Sequence, residues 1–219
     1  MKLRSYKLIL KTDKPINTYA FSLRGFIGRQ FPQLELLHNH STDNTCIYIF
    51  PRVQYHILNG HAMIIGIEEG VDAVKLIESS LLQLSMQREV YKVIEKDGIE
   101  SEIDYGITGL KEYSFLTPWL ALNEKNYEKY QRMGTWAERK ELLESVLIGN
   151  IISMSKSLGY TVSEPIKATM GQMKEVPTKL KGTPMLGFLG TFSVNFEIPD
   201  YWGIGKSVSR GFGTIRRCR

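Results

Sequence analysis

At 219 residues and 25.1 kDa, with 42% hydrophobic and 23% charged residues, the chain suits one large or two compact domains and is not a disordered or collagenous one. The best apolar run, residues 146–154, is broken by Gly149 and Asn150 and falls far short of the roughly 20 residues of a membrane span; the N-terminus lacks the apolar stretch of a secretory signal. Cys46 and Cys218 make neither a disulfide framework nor a zinc spacing, so a reducing cytoplasm is expected, with no metal, no cofactor and no membrane partner.

Residues 2–11 alternate loosely, with Tyr6, Leu8 and Leu10 on one side, and predict a strand that Lys14, Pro15 and Ile16 turn. Tyr19, Phe21, Leu23, Phe26, Ile27 and Phe31 recur on one broad helical face until Pro32 stops the pattern. A polar stretch, 38–45, follows. Residues 46–50 and 54–58 are β-rich, Asn59-Gly60 is a strong hairpin signal, and 61–67 supplies the returning strand. Val71, Val74, Ile77, Leu81, Leu82 and Leu84 repeat at helical spacing, and 90–94 predicts a strand before an acidic, glycine-containing connector, 95–109. That order, β-α-β-β-α-β, is the ferredoxin-like one.

In the second half a short strand is expected at 113–116, then the longest helix from Trp136, closed by Gly159. Strands at 166–173, 185–198 and 212–216 follow, separated by Pro/Gly turns. The expected fold class is α+β: two ferredoxin-like (RRM-like) domains in tandem, 1–100 and 105–219, with antiparallel sheets and helices on one face.

The charge is uneven. Residues 1–159 carry 19 Lys+Arg and 19 Asp+Glu, and residues 160–219 carry 9 and 4, so the whole +5 lies in the last sixty. From Lys206 onward the chain holds Arg210, Arg216, Arg217 and Arg219 and no acid, which suits either a polyanionic partner or a solvated basic tail. Through these cations run two Gly-x-Gly units, Gly203-Ile204-Gly205 and Gly211-Phe212-Gly213. Glycines let backbone N–H groups approach an anion, with Lys206 and Arg210 supplying charge; the competing reading is a glycine-rich hairpin kept for tight turns. The string fits neither nucleotide-binding glycine motif, and no long helix follows it.

Residues 203–213 resemble, in order, spacing and C-terminal position, the glycine-rich signature of the CRISPR-associated endoribonucleases that cut repeat RNA into guide RNAs, the Cas-six family. The preceding string, 186–193, is similar to the strand leading into that loop. The resemblance is sharp over 185–215 and diffuse elsewhere. It implies two ferredoxin-like domains, CRISPR repeat RNA as partner, RNA contacts at Gly203, Gly205, Lys206, Arg210, Gly211, Phe212 and Gly213, and a catalytic histidine in the N-terminal domain.

All four histidines, His38, His40, His56 and His61, fall within 24 residues. His38 and His40 flank Asn39 in a connection, where function is more often carried than core, and by position the resemblance assigns catalysis to them. Metal-independent RNA cleavage needs a base for the 2′-OH, an acid for the leaving 5′-oxygen and donors for the phosphate; two imidazoles can divide the first two roles near neutral pH. Plain surface histidines are the competing reading, and a His-x-His metal site lacks accompanying ligands. His56 and His61 flank the Asn59-Gly60 turn and are expected on the hairpin surface. Arg29 and Tyr48 are auxiliary candidates, a phosphate cation and a hydroxyl donor. The expected activity is a metal-independent endoribonuclease acting on CRISPR repeat RNA, with 2′,3′-cyclic phosphate and 5′-hydroxyl ends by resemblance. The rival is a non-catalytic RNA-binding subunit of a CRISPR effector complex, with other effector subunits as partners; the paired histidines separate the two.

Overall fold

The computed structural model describes residues 1–38 and 50–218. His40, Tyr48 and Cys46 lie outside the described residues, as does most of the run 46–50. The first sheet is built from β1 (Lys2–Thr12), β2 (Val53–Leu58), β3 (His61–Ile67), β4 (Gln83–Met86) and β5 (Glu89–Asp104) in the order β2-β3-β1-β5-β4. Leaving out the short β4 edge, that is the 4-1-3-2 order of a ferredoxin-like sheet. Helices α1 (Ala20–Gln30), α2 (Glu35–His38) and α3 (Glu69–Glu78) belong to the same unit. Leu8, Leu10, Leu23, Ile27, Ile64, Val71, Val74 and Ile77 meet in its core, so the period-2 side of the strands faces the period-3.6 side of the helices. Asn59 (φ 51°) and Gly60 (φ 78°) make the turn between β2 and β3, two left-handed residues in a row as a two-residue hairpin requires.

The second sheet takes β6 (Gly106–Phe115), β7 (Ala168–Leu180), β8 (Thr183–Glu197) and β9 (Ile215–Arg217) in the order β7-β8-β6-β9. Counted from β6 this is again 4-1-3-2, so the chain carries two ferredoxin-like sheets in tandem. Helices α4 (Glu124–Arg132) and α5 (Trp136–Ser157) connect β6 to β7. The connection from β8 to β9, where the fold ordinarily has its second helix, is the glycine-rich segment, with a single 3₁₀ turn at Val208–Arg210. One compact unit comprises Met1, Asp104–Ser207 and Phe212–Arg219; the other comprises Lys2–Ile103 and Val208–Gly211.

Several expectations are corrected. The acidic stretch expected as a connector is strand: β5 continues to Asp104 and β6 starts at Gly106. Its acids obscure the period because they face cations on neighbouring elements, Glu95 pairing with Lys11 and Glu100 with both Arg4 and Lys75. The helix expected to run to Leu84 ends at Glu78; Leu81 is buried in the turn and Leu84 in β4. Helix α4, polar apart from buried Tyr130 and exposed Tyr127, gave no apolar stripe to read. β7 runs through Pro177, which an edge strand accommodates because its N–H side needs no partner.

Candidate functional site

The glycine-rich segment is held by packing throughout. In the unit that contains β6 to β9, the backbone N–H of Ile204 donates to the Gly213 carbonyl (2.9 Å) and that of Gly213 to the Pro118 carbonyl (2.9 Å), while Gly203 bridges Thr214. Gly205 has φ +90°, and a Cβ there would lie 2.6 Å from Trp119 Nε1, an atom that donates to Asn150 Oδ1 at 3.1 Å. Lys206 is exposed, Phe212 half-buried, and Gly203 and Gly213 are buried. The close neck of this loop therefore needs glycine for steric reasons, whatever it binds.

In the other unit, Val208–Gly211 lies on α1 and β2. Gly211 has φ +82°, and a Cβ would come 2.5 Å from the Ala20 Cβ and 2.9 Å from the Tyr55 carbonyl oxygen. The expectation for His56 is corrected: it is 0% exposed rather than on the hairpin surface. Burial disfavours the imidazolium and pulls the His56 pKa down to about 3, so His56 is neutral at any physiological pH. His61, in contrast, is exposed at the start of β3. Tyr55 is fully buried, and its hydroxyl donates to the Leu37 carbonyl at 3.2 Å. A single β2 side chain thus ties the seat of Gly211 to the residue before His38.

Beside this seat the charge is concentrated. Arg24 stands one helical turn beyond Ala20 in α1, and Arg210 precedes Gly211. Burial and then the positive charge of Arg210 hold the Arg24 guanidinium below its ordinary pKa, and burial does the same to Arg210. Two half-buried like charges that influence each other favour negative charge nearby. Arg24, Tyr55 and the seating role of Ala20 were not legible as site residues; only the four-residue spacing of Ala20 and Arg24 hinted that they share a helix face. Arg29 is exposed in the last turn of α1, where a cation also suits the helix dipole. His38 closes α2. Among the described residues no group of His, Cys, Asp and Glu could hold a metal ion, and no helix is long and apolar enough to cross a membrane.

Two sheets of ferredoxin-like order, the second with a glycine-rich connection where a helix is usual, define the class. Sequence patterns of the Cas6b N-terminal domain match residues 1–104 and those of the Cas6b C-terminal domain match residues 107–218. The chain belongs to the Cas6b family. A solved structure described as Cas6b is 37% identical and superposes with a TM-score of 0.93, each chain covered in full. Another, described as the CRISPR RNA processing endoribonuclease Cas6b, is 36% identical with a TM-score of 0.79, again over both full chains. An uncharacterized protein of Methanocaldococcus jannaschii is 43% identical over 139 residues, 63% of this chain and 94% of its own length. A type IV Cas6 crRNA endonuclease, 12% identical with a TM-score of 0.63, shares the fold.

Proposed function

We propose that this protein is a metal-independent endoribonuclease that binds CRISPR repeat RNA in the cytoplasm and cuts it by attack of a ribose 2′-OH, generating guide RNAs. The observation that carries the reading is full-length similarity, at 36% identity, to a structure described as a CRISPR RNA processing endoribonuclease. In the proposed reaction one imidazole of the His38 and His40 pair takes the 2′-OH proton. The freed oxygen attacks the adjacent phosphorus, the bond to the 5′-oxygen breaks, and the other imidazole protonates that oxygen, leaving a 2′,3′-cyclic phosphate and a 5′-hydroxyl. Arg29 and Tyr48 assist as phosphate cation and hydroxyl donor. The N-terminal domain, 1–100, supplies the histidines; the C-terminal domain, 105–219, supplies the glycine-rich loop. Lys206 and Arg210 meet the RNA backbone with the loop glycines Gly203, Gly205, Gly211 and Gly213 and with Phe212. The half-buried cations Arg24 and Arg210 support this assignment, because guanidinium groups recognise phosphate by charge-assisted hydrogen bonds.

The test is cleavage of a panel of repeat RNAs in excess EDTA. Wild-type protein should cut, and 2′-deoxy substitution at the cut site should abolish cleavage while permitting binding. His38→Ala and His40→Ala should each slow the chemical step by about 100-fold or more with binding changed only a few-fold, and the double variant should be far less impaired than the product of the two effects, because members of one catalytic unit do not act independently. A bell-shaped dependence of rate on pH should accompany cleavage if one imidazole must be neutral and the other charged. Full activity in the double alanine variant would remove the histidines from the mechanism. Binding without cleavage across the whole panel would favour a scaffold subunit of an effector complex.

A further inference from the structure

Two aromatic rings stand in water at the start of α1. Tyr19 is 68% exposed and Phe21 44% exposed, and their rings stack 5.3 Å apart with planes 10° from parallel. The sequence pattern assigns both to the buried face of the helix, yet the core takes only their neighbours Ala20 and Leu23. The backbone beneath the rings is fixed: the Ser22 N–H donates to the Tyr19 carbonyl at 2.9 Å, and Ser22 Oγ accepts from Thr18 Oγ1 and from Gln87 Nε2, each at 3.2 Å. Scattered exposed apolar side chains need no explanation. A parallel, pre-ordered pair of rings gains nothing for folding by staying in solvent, and it is the shape on which a planar base stacks.

Its surroundings specify the ligand. Ala20, between the two rings in sequence, is the residue on which Gly211 is seated. Arg24 follows Phe21 by three positions, a spacing that makes side chains neighbours on a helix, and it feels the charge of Arg210. Aromatic faces beside guanidinium groups match a nucleotide, with its base on the rings and a phosphate on the cations. A base paired in a duplex has both faces covered, so the nucleotide must be single-stranded. We propose that the stacked rings of Tyr19 and Phe21 receive one unpaired base of the RNA, with a flanking phosphate against Arg24 and Arg210. This rests on the reading of the chain as a repeat-RNA endoribonuclease and adds to it a subsite on α1.

The test is equilibrium binding of the full chain to repeat RNA and to an oligouridylate. Tyr19→Leu with Phe21→Leu keeps apolar bulk and removes the π-faces, and should weaken binding by about tenfold; Tyr19→Phe with Phe21→Tyr should bind within about twofold of wild type. Scanning an abasic nucleotide along the RNA should find a position that weakens wild-type binding and leaves the leucine variant's affinity unchanged. Leucine-variant affinity equal to wild type, or no abasic position that couples to the rings, overturns the proposal. So does unchanged RNA affinity with a lost dimer in light scattering, which would assign the rings to a second copy of the chain. Wild-type protein that binds but never cuts defeats the endoribonuclease reading and leaves the stacking comparison intact; wild-type protein that binds neither RNA defeats both.

Discussion

Gly211 is seated against Ala20 and the Tyr55 carbonyl, and His56 follows Tyr55 in the same strand. The left-handed φ of +82° and the 2.5 Å approach of a Cβ to Ala20 make Gly211→Ala strained twice over, and an expected loss of about 1–3 kcal/mol is measurable by urea unfolding. Ala20→Gly in the same chain should recover part of that loss by opening the space; strict additivity of the two changes would dismiss the contact as the cause. The fully buried His56 has a folded pKa of about 3 against an ordinary 6.5. Between those values the unfolded chain binds a proton that the folded chain refuses, so stability falls as pH falls through that window and is unaffected above it. His56→Gln should flatten the stability profile between about pH 6 and 4. An unchanged profile would mean that other groups govern acid unfolding.

At the scale of elements, the helix ends and strand edges follow local chemistry. α5 begins at a capping box: Thr135 Oγ1 accepts from the Glu138 N–H at 3.3 Å, and Glu138 Oε2 accepts from the Thr135 N–H at 3.0 Å. Thr135→Ala should lower the melting temperature by about 2–4 °C; calorimetry showing no shift would mean that packing of the α5 face alone holds the first turn. Exposed ion pairs link α3 to β1 and β5: Arg4 with Asp72 and Glu100, and Lys75 with Glu100. Such pairs are screened by water and contribute little to stability singly; their consequence here is that the acids of β5 meet opposite charge rather than each other.

For the whole molecule, the excess positive charge of the last sixty residues bears on RNA affinity. Each phosphate neutralised on a single strand releases counterions and adds about 0.7 to the slope of log affinity against log salt. Lys206→Ala with Arg210→Ala should therefore weaken binding across RNA sequences and reduce that slope by about 0.7 to 1.4, the smaller value where Arg24 still holds the phosphate, read from titrations between low and moderate salt. An unchanged slope would make these side chains solvated charges. Arg24→Ala should reduce the slope further if Arg24 shares a phosphate with Arg210.

The tandem ferredoxin-like plan, the Asn59-Gly60 hairpin and the long helix opening at Trp136 are legible in the sequence because each rests on local periodicity or turn chemistry. So is the glycine-rich segment, whose residues are contiguous. The length of β5 was hidden because its acids are matched by cations 84 and 96 residues away in the chain, at Lys11 and Arg4. Tertiary structure alone decided that His56 is fully buried, because whatever covers a strand face comes from segments that its local sequence does not show. It alone left Tyr19 and Phe21 exposed, because one helix face can be covered only as far as its neighbours reach. A sequence orders its residues along one dimension, whereas burial and like-charge proximity depend on which distant segments fold back onto them.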